Sequence, residues 1–352
     1  MLLTSAMRKL HGHDLVHYIP QHLSQWSRHI LETNPSIDIF WGTCSLPNAH
    51  GCVNLGLGAC YEEEIIRNAK IVILEINPNM PVTHGATFIP LNDVHYFINA
   101  NYDIPSLPKN SFDKVTETIG QNVSELVEDG STIQLGIGEI PDAIGKCLRH
   151  KKDLGVHTEL LSDAIWELYE QGCITGRRKT LWPERMVASF ILGSPGLYNF
   201  VNDNPLVELH PSSIVNDSNI ISQNYKMVSL NTAIEIDLTG QVCAESIGHV
   251  QLSGVGGATD THVGASRAKG GKGIIAMKST TDNGLFSKIC FELHPGAKVS
   301  VTRNDIDIVV TEYGIAKLRG KSVAARIGSL ISIAHPQFRD ELFFKAQKAD
   351  YL

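Results

Sequence analysis

Two glycine turns and the acids near them are the residues of this chain whose types and spacing suit chemistry. Gly136 and Gly138, in STIQLGIG (131–138), stand where an apolar run gives way to a helical pattern beginning near Pro141. Glycine there lets backbone N–H groups approach a ligand, and a helix N-terminus adds positive potential, which suits an anion or a carbonyl oxygen gaining charge. The third glycine of the dinucleotide fingerprint is missing, since Pro141 holds its place, and a plain tight turn accounts for the pattern equally well. SGVGGATD (253–260) is denser: Gly254, Gly256 and Gly257, flanked by Ser253 and Asp260, free several amides in one loop and fit an oxyanion or phosphate nest, with a sharp loop between strands as the alternative. Glu159, in HTELLSD (157–163), ends an apolar run just before a helix, at the edge where ligands bind in open α/β sheets. A cap or a surface acid would occupy the same place, and EIDL (235–238) and TEY (311–313) offer rival acids. Lys278, in IIAMKS, follows an apolar strand and is either a phosphate contact or a solvated charge.

Elements able to hold these groups alternate along the chain. Stretches 37–46, 70–77, 131–138, 154–160, 227–238, 270–279 and 305–314 read as strands by apolar content and by Gly, Pro or Asp at their borders. Stretches 61–70, 116–128, 141–151 and 162–172 have helical spacing. The alternation predicts a largely parallel α/β sheet. NANYDIPSLPKNS (99–111), with two Pro and little periodicity, is the best linker, dividing an N-terminal unit 1–110 from a C-terminal unit 111–352. Segments 53–77 and 133–160 share the plan strand, Leu-Gly-apolar-Gly, helix, strand with a terminal Glu (Glu75, Glu159), either as a repeated unit or by chance.

At 352 residues and 43% hydrophobic, the chain is long enough for two domains. A net charge of −7 argues against nucleic acid or anionic membrane as partners. Seven scattered cysteines without a Cys-x-x-Cys, no signal-like h-region and no apolar run of membrane-spanning length point to a reduced, cytoplasmic protein. His11, His13 and His17 form the tightest histidine group, but no His-Glu-x-x-His follows, so a metal is not expected. No Gly-x-Ser-x-Gly elbow supports a serine hydrolase.

Taken together, QLGIGEIPDAI (134–144), LGVHTELLSDAI (154–165), LNTAIEIDLTGQV (230–242), SGVGGATD (253–260) and VTRNDIDIVVTEYGIAKLRGK (301–321) resemble the acetyl-CoA hydrolase/transferase family, with 4-hydroxybutyrate CoA-transferases as the nearest likeness. The resemblance runs from about residue 40 through HPQFRDEL (335–342). It implies two related open α/β domains with the active site between them and a covalent glutamate, matched by Glu159. It also implies a CoA-binding and oxyanion turn at Gln134, Leu135, Gly136, Ile137 and Gly138, faced by Gly257 of the Gly254, Gly256, Gly257 loop. Asn216, in SIVNDSN, matches an asparagine that positions the glutamate, and Lys278 a CoA-contacting lysine. A carboxylate with the reference pKa of about 4.3 is ionised at pH 7 and attacks a thioester without a general base. The expected activity is ping-pong transfer of coenzyme A, a substrate and not a bound cofactor, between an acyl-CoA and a small carboxylic acid. The acids in view are 4-hydroxybutyrate, butyrate, acetate, succinate and itaconate. Acyl-CoA hydrolysis and an inactive CoA-binding subunit are the alternatives, and a homo-oligomer is the default assembly. Family members begin with further strands and helices, so the first domain is expected to be shortened, with an exposed sheet edge or apolar face and lowered stability.

Overall fold

The computed structural model of the chain describes Met7, Leu10 and residues 15–352. The first part forms β1 (Ile37–Cys44), β2 (Ala69–Ile76), β3 (His84–Gly85) and β4 (Tyr96–Asn99), with α1 (Trp26–Thr33) and α2 (Glu62–Ile66). β1, β2 and β4 make a parallel sheet with β2 in the middle. Because side chains alternate along a strand, Phe40, Cys44, Val72 and Leu74 turn inward and pack with Trp26, Ile30, Ile65 and Ile66. Ile39, Trp41, Tyr96 and Ile98 lie on the opposite face and are exposed. On that face the Trp41 indole N–H and the Tyr102 hydroxyl donate to Glu75 at 3.0 and 2.7 Å.

The remaining chain builds the large sheet from β5 (Thr132–Leu135), β6 (Gly155–His157), β7 (Met186–Ala188), β8 (Val207–Leu209), β9 (Met227–Asn231), β10 (Lys272–Ala276), β11 (Ile308–Thr311) and β12 (Gly314–Lys317). Its helices include α3 (Lys114–Ser124), α4 (Glu139–Cys147), α5 (Asp163–Glu170), α6 (Ser212–Val215) and α7 (Ala258–Arg267). The spatial order is β12, β11, β10, β9, β5, β6, β7, β8, β3, so the first part lends an edge strand to the second. All neighbours are parallel except β11 with β12. The residues of β5 and β11 are all buried, as expected of a sheet covered on both faces. Asp113 starts α3 by accepting from the Thr116 N–H at 2.8 Å.

From β5 the chain steps outward through β6 and β7 to β8, then returns to lay β9 on the other side of β5. That reversal opens a crevice at the carboxyl ends of β5 and β9, where open α/β sheets bind ligands.

Each stretch expected as a strand contains one. The 154–160 stretch breaks into β6 and a short Leu160–Leu161 strand, and 227–238 into β9 and Glu235–Asp237. The four expected helical stretches hold α2 to α5, with α4 beginning at Glu139 so that Pro141 lies in its first turn. The apparent repeat does not survive. β5, α4 and β6 form a βαβ unit, whereas Cys52–Asn54 pairs antiparallel with Phe88–Pro90 in a sheet separate from β2. A shared Leu-Gly-x-Gly turn signal does not choose strand partners; tertiary packing does.

Candidate active site

Just past β6 the backbone leaves the sheet at Glu159, whose carbonyl accepts from both the Ser189 and Phe190 N–H groups at 2.9 and 3.1 Å. The carboxylate points toward α6 and α7. Asn216 Nδ2 donates to Glu159 Oε2 at 3.0 Å, and the Gly257 backbone N–H donates to the same carboxylate. Gly257 is the N-cap residue of α7, so the acid sits on the positive end of a helix. A Cβ on Gly257 would overlap both Asn216 Nδ2 and Glu159 Oε2; only glycine lets these three groups meet. Gly256, at φ +56°, lies beside Oε1.

Burial pushes the Glu159 carboxyl up to about 7; Asn216 and Gly257 pull it down without cancelling that effect, and the nearby Asp260 pushes it further up. An ordinary carboxylate value, expected from the residue type alone, therefore does not hold here. Asp260 in turn is raised by burial, and its carboxylate accepts from the Ser24 N–H at 3.1 Å and the Ser24 hydroxyl at 3.0 Å. The first part of the chain thus reaches across to the second beside the nucleophile candidate. It also brings Cys60, whose thiol burial pushes up strongly. Glu62, likewise raised by burial, lines a cavity of about 460 Å³ with Trp41, Leu57, Tyr61 and Met80.

The other expected site residues divide. Gln134 is buried, and its amide oxygen accepts from the Ser229 hydroxyl at 2.8 Å and the Leu230 N–H at 3.1 Å, which ties β5 to β9 beneath the crevice. Leu135 belongs to the core. Gly136, Ile137 and Gly138 form the turn into α4, with Ile137 exposed and Gly138 at φ +116°. Gly254 is buried in the loop ahead of Gly257. Lys278 lines a cavity of about 660 Å³ together with Glu139, the first residue of α4, and Asp113. Its ammonium faces Asp113, Glu139 and Asp282 at 3.2, 3.6 and 3.5 Å.

The rival acids are occupied. Glu235 pairs with the His294 ring, Asp237 accepts from the turn amides of Thr239, Gly240 and Gln241, and Glu312 accepts from the N–H and hydroxyl of Ser279. Ser24 and Glu62 are site neighbours that the sequence did not single out; Glu62 sits in an acidic run, EEE, indistinguishable from a solvated first helical turn. Among the described residues no cluster of three or more His, Cys, Asp or Glu is arranged to hold a metal, and no helix is long and apolar enough to cross a membrane. His11 and His13 lie outside the described residues.

The pattern of the acetyl-CoA hydrolase/transferase N-terminal domain matches residues 1–107, and that of the C-terminal domain residues 193–346. The 4-hydroxybutyrate coenzyme A transferase of Clostridium kluyveri is 44% identical over 312 residues, covering 89% of this chain and 73% of that protein. The succinyl-CoA:cyclohexane-1-carboxylate CoA transferase of Geobacter metallireducens is 43% identical, covering 94% and 76%. The crystal structure of RipA from Yersinia pestis superposes with a TM-score of 0.95 at 34% identity, over all of this chain and 81% of that one. With both domain patterns matched, and a relative this similar over most of its length, the chain belongs to the acetyl-CoA hydrolase/transferase family.

Proposed function

We propose that the protein is an acyl-CoA:carboxylate CoA-transferase working by a ping-pong mechanism through Glu159, on a small acid of the 4-hydroxybutyrate, butyrate or acetate type. The observation that carries this reading is one carboxylate held by Asn216 Nδ2 and the Gly257 N–H at the start of α7. A Glu159 oxygen attacks the thioester carbonyl, the C–S bond breaks, and a mixed anhydride and CoA thiolate result. The thiolate attacks the Glu159 carbonyl carbon, expelling the first acid as its carboxylate and leaving a glutamyl-CoA thioester. An incoming carboxylate attacks that thioester, releases the thiolate and forms the second anhydride. Thiolate attack on the acyl carbonyl then yields the new acyl-CoA and restores Glu159.

In the two steps that pass through the Glu159 carbonyl carbon, charge gathers on a Glu159 oxygen. Asn216 and Gly257 already donate there, so the donors that hold the resting carboxylate serve as an oxyanion hole. The turn at 136–138 and Lys278 are assigned to CoA. The chain is read as two units divided near residue 110, the first carrying Ser24 and Cys60 to the site and the second Glu159.

Mass spectrometry after incubation with acyl-CoA alone tests the mechanism: a CoA-sized adduct on the peptide containing residues 157–163 is expected, and a CoA adduct on another acid overturns it. CoA release that needs no second carboxylate would instead identify a hydrolase, and CoA affinity without turnover an inactive subunit.

The raised carboxyl sets a pH dependence. Only the ionised form attacks, so kcat/KM is expected to climb about tenfold per pH unit on the acid side and to level off above a midpoint near 7. A profile flat from about pH 5 to about 8 rules out Glu159 as the titrating nucleophile. Lys278→Met is expected to raise KM for acyl-CoA roughly tenfold while leaving kcat within about twofold. An unchanged KM removes Lys278 from the CoA site.

A further inference from the structure

We infer that His157 is a positioning residue that acts on Glu159 through Asn216; this rests on the reading of Glu159 as the nucleophile. His157 ends β6 two residues before Glu159 and is 1% exposed. Its Nε2 lies 2.9 Å from the Val215 carbonyl oxygen. A carbonyl only accepts, so Nε2 carries the proton and Nδ1 is the bare nitrogen. Burial, reinforced by Lys179, holds the ring's pKa down to about 3, so it stays neutral and the tautomer is fixed over the working range.

Val215 is the last residue of α6, and carbonyls at a helix end lack partners within the helix. The Val215 carbonyl and the Asn216 N–H belong to one peptide plane. His157 holds the oxygen side of that plane, and the Ser212 carbonyl accepts from the Asn216 N–H at 2.9 Å on the other. The Asn216 side chain needs this support. It is completely buried, its Nδ2 donates to Glu159, and among the described residues its Oδ1 has no hydrogen-bond partner. Among the described residues nothing at the amide oxygen fixes its direction, so the clamped peptide does. The end of one strand thus leads into the nucleophile and also steers its donor, by way of the C-terminal end of a four-residue helix.

The test is a double-mutant cycle on the whole chain, with kinetics against pH. His157→Leu removes the donor while filling the space; His157→Gln restores an N–H at similar reach. His157→Leu is expected to lower kcat roughly 10²-fold, the cost of a misplaced catalytic group, with KM for acyl-CoA within about twofold. Its kcat/KM midpoint should move to higher pH, as in Asn216→Ala, because the Asn216 bond holds the Glu159 carboxyl down. Asp260 and Cys60 are titratable groups that also act electrostatically on Glu159, and neither is altered. His157→Gln should recover most of kcat. In Asn216→Ala, adding His157→Leu should cost nothing further, since the path is already cut.

Additive losses in the cycle, an unmoved pH midpoint, or a Gln variant no better than Leu would each overturn the inference. If His157→Leu does not fold, His157→Asn, whose amide stops short of Val215, replaces it in the cycle. Glu159→Gln run alongside separates the two readings. Retained turnover in that variant defeats the nucleophile itself, whereas an inactive Glu159→Gln together with additive losses defeats only the role of His157.

Discussion

Glu159→Gln is expected to reduce turnover by roughly 10⁴-fold or more and to abolish the CoA adduct, because an amide supplies no anionic oxygen to attack the thioester. The substitution preserves shape, and the new amide oxygen can still accept from Asn216 and Gly257, so loss of activity should not be loss of fold. Stability offers an independent check. The folded carboxyl lies near 7 against an ordinary value of 4.5, so the folded state holds its proton where the unfolded chain releases it. Below pH 4.5 the side chain is neutral in both states, and wild type and the Gln variant should differ little. As pH rises from 4.5 toward 7 the wild type loses stability, and above 7 it carries a half-buried charge that the variant lacks. Glu159→Gln should therefore be the more stable protein at alkaline pH, by at most roughly 3 kcal/mol, with the gain fading as pH falls. Thermal melts across pH measure it. Glu75→Gln and Glu235→Gln disturb a Trp41–Tyr102 network and a His294 pair and should leave an adduct on residues 157–163. Full activity in Glu159→Gln would refute the assignment.

The centre of the large sheet was legible because β5, β6, β9, β10 and β11 are almost wholly buried and so read as short apolar runs bounded by turn residues. β7 and β8 escaped because three-residue strands in ERMVAS and PLVELH carry too little periodicity to stand out. Glu159 could be placed at a strand end, but its choice over Glu235, Asp237 and Glu312 rested on family resemblance. What separates them lies far off in sequence: His294 engages Glu235 and Ser279 engages Glu312, while Glu159 is left with the two donors of a charge-stabilising site. The raised Glu159 carboxyl was invisible for the same reason, since burial by α6, α7 and the first part of the chain is tertiary. Gln134 shows the same. Its amide oxygen accepts from Ser229 and Leu230, so it ties β5 to β9 through contacts nearly a hundred residues away that its own motif does not reveal. The glycine loop at 253–260 was an informative local signal, because one of its three glycines, Gly257, makes a close approach that no other residue permits.

That close approach gives the second large effect. Gly257 has φ −96° and ψ 11°, a negative-φ bridge conformation open to alanine, so Gly257→Ala tests sterics far more than conformation. The added methyl would occupy space held by Asn216 Nδ2 and Glu159 Oε2, and neither is the free end of a flexible chain: Asn216 is fully buried and both are hydrogen-bonded. The carboxylate must withdraw from the Asn216 amide, the Gly257 N–H, or both. Losing one preorganised oxyanion donor costs roughly 10²–10³ in kcat, and that is the expected loss, with slower adduct formation in stopped reactions with acyl-CoA. Gly256→Ala makes the contrast. Its Cβ would stand 3.6 Å from Glu159 Oε1, an ordinary contact, but φ +56° is unfavourable for alanine. It should cost about 1–2 kcal/mol of stability and much less of kcat. If Gly257→Ala turned over normally while Gly256→Ala did not, the crowded side of the carboxylate would not be where charge develops, and the oxyanion role would pass from Asn216 and Gly257 to donors beside Oε1.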